Sequence, residues 1–263
     1  KNSLFSRNVK GNSKSLKKIS RNDIFKIHKE NFTKNNLTIG LAGDIDSENA
    51  KKYIDYVFGE LPSSKVKRET PPFENLEKGK IFFEMETPQA TIVFGQRGFG
   101  RKNKDYFAAR VLNYVLGGGG FQSRLYKEVR EKNGLVYSIY SYLMPYESDG
   151  VIIGGFQTRN KNVDQTMLKV NQEWKKIKNQ GISANELKEA KTYYKGSFSR
   201  NFTSTISIAT LLKVVQYYDL GKDYFANRSE IIDNLKLKEI NSLASRIFDE
   251  KNLFFMIVGK RNM

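Results

Sequence analysis

A chain of 263 residues without a single cysteine has no disulfide framework, no thiolate nucleophile and no cysteine-ligated metal. It is almost as poor in histidine. His28 stands alone, so two imidazoles cannot meet on one metal, and no nucleophile elbow accompanies it for serine–histidine–aspartate chemistry. In KIHKENF it reads as a solvated or helix-packed side chain. Long apolar runs are missing as well: nothing approaches the ~20 apolar residues of a membrane-spanning helix. Proline is scarce, five in all, and Pro62, Pro71 and Pro72 crowd into one short stretch. Acidic residues are outnumbered, 28 against 45 lysines and arginines, giving a formal net charge of +17. Ten of those basic residues lie in positions 1–36, opposed only by Asp23 and Glu30. Such a charge can steer an anionic partner. The basic residues are mostly lysines spread through helical stretches, however, with no arginine-and-aromatic platform, so nucleic acid is not an expected partner.

What is present is enough for one full core and part of another, with 39% of residues hydrophobic. An offset of 216 positions aligns Ile19, Asp23, Ile24, Ile27, Phe32, Asn36, Leu37, Ile39, Leu41 and Gly43 with Leu235, Glu239, Ile240, Leu243, Phe248, Asn252, Leu253, Phe255, Ile257 and Gly259. Five of those ten pairs are identical. Each copy reads as an amphipathic helix, a short turn with asparagine, and an alternating strand that ends in glycine. Asp46 or Ser47 can cap a helix running to about Phe58, and Pro62, Ser63, Ser64, Pro71 and Pro72 mark a connector. KIFFEME and ATIVFGQ carry strand patterns, and GVIIGGFQT pairs naturally with the strand 135–143 as an antiparallel meander. From Asn162 to Phe248 the pattern is helical, with Trp174, Tyr193, Tyr194 and Phe198 expected to pack on the sheet. Strands followed by helices argue an α+β fold, an antiparallel sheet packed against helices. The organisation expected is the C-terminal portion of one domain over residues 1–61, a linker over 62–79 and a complete, similar domain over 80–263, with the front of the first copy absent from this sequence.

Leu116 to Tyr140, LGGGGFQSRLYKEVREKNGLVYSIY, is the stretch that speaks to chemistry. A helix with Phe107, Ala108, Val111, Leu112 and Val115 at helical spacing is expected to stop at Gly117. Gly117, Gly118, Gly119 and Gly120 then form a permissive loop followed by Phe121. A second helix, from about Gln122 to Lys132, should end at Gly134 and place Arg130 in its last turn. Tyr137 falls near the start of the next strand. An arginine and a tyrosine seven residues apart therefore flank one turn.

Through Ser123, Arg124, Leu125, Glu128, Arg130, Glu131, Lys132, Gly134, Leu135, Tyr137 and Ser138, the string resembles the pitrilysin/insulinase family of zinc peptidases, the inverzincins. Within it the likeness is to the branch that includes mitochondrial processing peptidase. The resemblance implies two similar domains, the second of which is inactive and carries the Arg/Tyr pair. It implies that Arg130 and Tyr137 donate hydrogen bonds to a scissile peptide carbonyl and to the oxyanion that develops there, with 117–121 as the peptide-contact loop. Catalytic residues and zinc ligands would lie outside this sequence. The family's His-x-x-Glu-His helix has no counterpart in it, so zinc would sit on a partner chain or on an upstream segment. The expected role is thus a substrate-binding, non-catalytic subunit or region of a zinc metallopeptidase, in a homodimer or heterodimer with a metal-bearing chain and an extended or unfolded peptide as substrate. Two alternatives stand beside it: part of a complete peptidase with its metal motif upstream, and a structural subunit like the core proteins of respiratory complexes. Relatives in this branch tilt the expected location toward a bacterial periplasm or envelope.

Overall fold

The computed structural model describes residues 8–63 and 77–261. Ser64, Pro71 and Pro72 of the expected connector lie outside the described residues. In chain order the elements are α1 (Ser13–Leu16), α2 (Arg21–Asn31), α3 (Ser47–Phe58), β1 (Gly79–Glu84), β2 (Gln89–Arg97), α4 (Tyr106–Asn113), β3 (Val136–Pro145) and β4 (Gly150–Arg159). There follow α5 (Val163–Gln180), α6 (Ala184–Gly196), α7 (Thr205–Tyr217), α8 (Tyr224–Asp233), α9 (Leu237–Ile247) and β5 (Phe254–Gly259). Contacts divide the chain into two units. One takes the described residues of 1–74 with 199–222, and the other those of 75–198 with 223–263.

The larger unit is a five-stranded sheet in the order β1-β5-β2-β4-β3. β1 and β5 pair in parallel, and every other neighbour is antiparallel, including the expected β3–β4 meander. Period-two alternation assigns the faces: Ala90, Ile92, Phe94 and Gln96 of β2 are buried, while Val93 between them is exposed. Against the buried face, α5 presents Val163, Met167, Val170, Trp174 and Ile177, one apolar stripe at three- and four-residue spacing. Trp174 is the keystone of that layer. Its ring meets Phe94 and Phe248 edge-on at 5.6 and 5.7 Å, and its Nε1 donates to Gln96 Oε1 at 2.6 Å. The opposite face is bare, with Ile81, Phe83, Val93, Tyr140, Tyr142 and Met256 exposed. Helices on one side of a largely antiparallel sheet make the α+β class that the pattern of strands then helices indicates.

The smaller unit holds α1, α2, α3 and α7. Ser20 and Asp23 form a reciprocal capping box at the start of α2, and Asp46, one of the two caps that the sequence offers, caps α3. The internal repeat is reproduced to the residue in helix and turn. α2 and α9 are both 11 residues long, each is followed by a 3-10 turn (Lys34–Asn36 and Glu250–Asn252), and both elements are offset by 216. The strands differ. Phe254–Gly259 forms β5, but Leu37 to Gly43 forms no strand, correcting the expectation for the first copy. β5 has β1 and β2 to pair with, whereas the described residues of the smaller unit contain no strand to complete a ladder. The apolar faces differ likewise. Ile240, Leu243 and Phe248 are at most 1% exposed; their counterparts Ile24, Ile27 and Phe32 are 62%, 57% and 58% exposed. The contact grouping puts α7 in this unit, although the sequence reading runs the second domain through it. Gly40 makes the approach possible: a Cβ there would lie 2.2 Å from the Ala209 carbonyl oxygen of α7.

Candidate functional site

The glycine loop and the Arg/Tyr pair lie together at the β3 edge of the sheet. α4 does not stop at Gly117 as expected. It continues as a π-helical turn through Tyr114–Gly118. The glycines serve two ends there. A Cβ on Gly117 would sit 2.4 Å from Ser141 Oγ and 2.8 Å from Ser141 N, so its bareness lets the turn press against β3. Gly120 alone among the four has a left-handed φ, +58°, with open space around it. Phe121 follows, 68% exposed, its ring edge-on to Tyr126 at 4.8 Å.

The next helix is wound as a π-helix over Tyr126–Lys132 and ends, as its sequence predicts, at Gly134 with φ +60°. Extra residues in a helical turn are energetically unfavourable and recur at functional sites. Their effect here is to set Arg130 between two rings: its guanidinium carbon is 4.7 Å from the Tyr126 centroid and 5.4 Å from that of Tyr137. Neither neighbouring carboxylate pairs with it. Glu128 is engaged by Lys132 at 3.0 Å and Lys169 at 3.5 Å, and the Lys132 hydrogen bond holds its carboxyl below the ordinary glutamate pKa. The cation is thus held by ring faces, and among the described residues no acid engages its N–H fork. Tyr126 is buried, with an unpartnered hydroxyl, so it contributes its face. The sequence string contained Tyr126, but nothing in its spacing marked it as the ring beneath Arg130.

Tyr137 owes its position to an interruption in the ladder. Val136 pairs with Thr158 and Ile139 with Phe156, so the register slips across Tyr137 and Ser138. Such a bulge re-aims a side chain, and Tyr137 is 85% exposed. It borders an open cavity of about 270 Å³ that also takes in Gln89, Gln157 and Arg159. Those three polar residues carry no motif and were not legible as site residues. Two other string residues are structural. Leu125 is fully buried, and Arg124 reaches Glu186 by two 2.7 Å hydrogen bonds and Gly181 O by one of 3.0 Å, pinning the start of α6. Burial pushes the Glu186 carboxyl up, but Arg124 and the Ser183 N–H outweigh it and hold the pKa below the ordinary value. A depressed folded pKa gives stability that is complete above the unfolded value and lost as pH falls through the folded one. Glu186→Gln is therefore expected to lower the urea midpoint at neutral pH and to flatten its decline on acidification. An acid limb as steep as the parent's would contradict that assignment.

A family profile described as the peptidase M16 inactive domain matches residues 18–194. The chain belongs to this family. The pitrilysin/insulinase resemblance read from the string is thereby borne out, and the chain is peptidase-like. Over 239 residues it is 32% identical to the uncharacterized zinc protease YmxG of Bacillus subtilis, matching 88% of this chain and 56% of that protein. It is 29% identical over 258 residues to a Helicobacter pylori protein named the non-peptidase homolog YmxG, matching 95% of this chain and 58% of that one. The crystal structure of a peptidase M16 inactive domain from Pseudomonas fluorescens superposes with a TM-score of 0.91 at 24% identity, covering 98% of this chain and 61% of that one. The chain thus spans well under two thirds of the length of each. The zinc of M16 peptidases finds no donor set here: among the described residues no three His, Asp or Glu side chains gather. His28 stacks on Phe32 at 4.7 Å on the exposed helix α2, matching its sequence reading as a helix-packed side chain. Nor is any helix among the described residues long and apolar enough to cross a membrane.

Proposed function

We propose that this M16 chain holds an extended peptide for hydrolysis without supplying the metal chemistry, acting as the substrate-binding, non-catalytic half of a zinc metallopeptidase. The observation that carries the reading is the Arg130 guanidinium, kept on two tyrosine rings with no described carboxylate on it, beside an exposed Tyr137. A guanidinium neutralised by a neighbouring acid would have little left to offer a substrate carbonyl. Arg130 keeps its charge and its donors for an incoming group, and Tyr137 adds a phenol O–H at the same turn. Together they can hold a peptide carbonyl and stabilise the negative charge that grows on its oxygen. β3 is an edge strand, and an extended peptide can add to such an edge by main-chain hydrogen bonds. The exposed Phe121 and the open Gly120 sit where that peptide would pass.

The metal belongs, on this reading, to a His-x-x-Glu-His chain that pairs with this one, in a bacterial envelope or periplasm. The greater length of the relatives named zinc proteases supports a second reading, in which the motif lies upstream in the same protein. Mixing the full-length protein with its metal-bearing partner tests the first reading. Unfolded-peptide cleavage should be absent from either chain alone and appear on mixing. Full cleavage by the metal-bearing chain alone would exclude the subunit role. Chelator-sensitive cleavage by this protein alone would establish the second reading.

A further inference from the structure

Beyond the glycine loop, the same sheet edge opens into a second cavity, of about 220 Å³, bordered by Arg110 and Asn113 of α4, Tyr142 of β3, and Tyr193 and Tyr194 of α6. Its lining is rich in donors: one guanidinium, one carboxamide and three phenols. Tyr193 was expected in the core by its sequence pattern. It is 42% exposed instead, stacked on Tyr114 at 4.7 Å.

The charge around this cavity is unbalanced. Arg110 lies over the Tyr194 ring at 4.5 Å. Arg228, only 4% exposed, donates to Tyr194 O at 2.9 Å and covers Phe198 at 4.0 Å. Arg101, 8% exposed, donates to Tyr224 Oη at 2.8 Å and stacks on Tyr106 at 4.2 Å. Burial, helped by the Arg110 charge, pulls the Arg228 pKa down, whereas at Arg110 burial is outweighed by Tyr194 and Tyr106, which hold its pKa above the ordinary value. No described carboxylate forms an ion pair with any of the three. Elsewhere in this unit the buried Asp149 is paired with Arg97, and the part-buried Arg124 with Glu186. Rings and a backbone carbonyl occupy Arg101 and Arg228. Arg110 borders the open cavity with Tyr106 and Tyr194 beside it and no described carboxylate. Three cations without an acid, in a partly desolvated setting, produce a positive potential that an anion would relieve.

We infer that the Arg110 cavity is a carboxylate subsite for the bound peptide. This rests on the reading that an extended peptide lies along β3. From Tyr137 to Tyr142 the strand advances roughly 13 to 16 Å at ~3.3 Å per residue, so the subsite takes a carboxylate about four or five residues from the carbonyl held at Arg130. The edge also closes at this point: the Ser141 carbonyl accepts from Asn113 Nδ2 at 3.1 Å, and Ser141 Oγ donates to Asn113 Oδ1 at 2.9 Å. Two sources share the chemistry, an aspartate or glutamate side chain and a C-terminal carboxylate where the chain ends against Asn113. Planar bidentate pairing with a carboxylate is what a guanidinium does best.

The test is fluorescence-anisotropy binding to the full-length protein of extended peptides in matched pairs, Glu against Gln along the sequence and free acid against amide at the C-terminus. One pair should show an approximately tenfold preference for the carboxylate. Arg110→Gln should abolish that preference and Arg110→Lys restore part of it, with thermal melts confirming that both fold. Preference in the Glu/Gln pairs identifies a side chain; preference in the acid/amide pair identifies a terminus. Arg130→Ala should weaken carboxylate and amide forms equally, separating the two sites. Equal affinity within every pair overturns the subsite while leaving peptide binding intact. Should no peptide bind, the edge-strand reading fails, and an acetate titration followed by arginine Nε–Hε NMR decides the subsite by itself. A saturable shift at Arg110 would uphold it, and none would end it.

Discussion

Replacing Arg130 by alanine is expected to lower kcat about a hundredfold to a thousandfold in peptide cleavage by the assembled peptidase, with KM much less affected. The magnitude is that of deleting one preorganised donor to a developing oxyanion. Its physical basis, on the proposed reading, is that no described carboxylate pairs with Arg130, which leaves its charge available to a substrate, and that Tyr126 and Tyr137 provide its seat. Arg130→Lys keeps the charge but gives up the planar fork and the ring contacts, so it should recover only part of the loss. Tyr137→Phe keeps the ring beside Arg130 and removes one O–H, so a smaller loss, about tenfold, is expected. Neither position should alter stability by much. The Arg130 side chain is half-buried with no hydrogen-bonded partner among the described residues, and Tyr137 is exposed on a bulge. The measurement is kcat and KM for each variant with the metal-bearing chain present, beside a thermal melt. Full activity in both Arg130→Ala and Tyr137→Phe would remove the pair from the mechanism.

What the sequence makes legible and what it hides divide along a physical line. Periodicity and caps are local, and they predict α3 with its Asp46 cap, the four-strand run from β1 to β4, and a helix-and-turn repeat that recurs with its offset intact. Strand formation is not local. Leu37 to Gly43 has the same alternation as β5 and forms no ladder, because pairing depends on a neighbour that a sequence window cannot display. Helix winding is also hidden: Gly117 has the residue type of a stop, but its role is to let a π turn press onto Ser141. The candidate site splits in the same way. Arg130 and Tyr137 were found through a motif. Tyr126 lies inside the string without being marked by it, and Arg159 and the arginines around Tyr194 reach the sheet edge only from other elements. A family string records the side chains whose order is fixed, and leaves out those that reach the site from distant elements.

The scaffold that holds this edge is built around a fully buried tryptophan, and Trp174→Ala should destabilise the larger unit by about 3–5 kcal/mol, the range for removing a buried large aromatic. Trp174 is fully buried between Phe94 and Phe248 and joins β2 to α5 and to the chain just after α9. Its Nε1 also completes a polar chain through the core: Trp174 donates to Gln96 Oε1, and Gln96 Nε2 donates to Ile247 O, each at 2.6 Å. Truncation leaves a cavity and strips Gln96, 5% exposed, of its short donor. Trp174→Phe separates the two effects. It fills most of the space and lacks the N–H, so about 1–3 kcal/mol of the loss should persist as the cost of an under-satisfied buried carboxamide. Because Trp174 is the only tryptophan, its fluorescence reports unfolding in the parent alone, and urea titrations followed by circular dichroism must carry the comparison. A Trp174→Phe variant as stable as the parent would show that the Gln96 hydrogen bond adds nothing beyond packing. An unchanged midpoint in Trp174→Ala would mean that the β2–α5 core is not where this unit's stability resides.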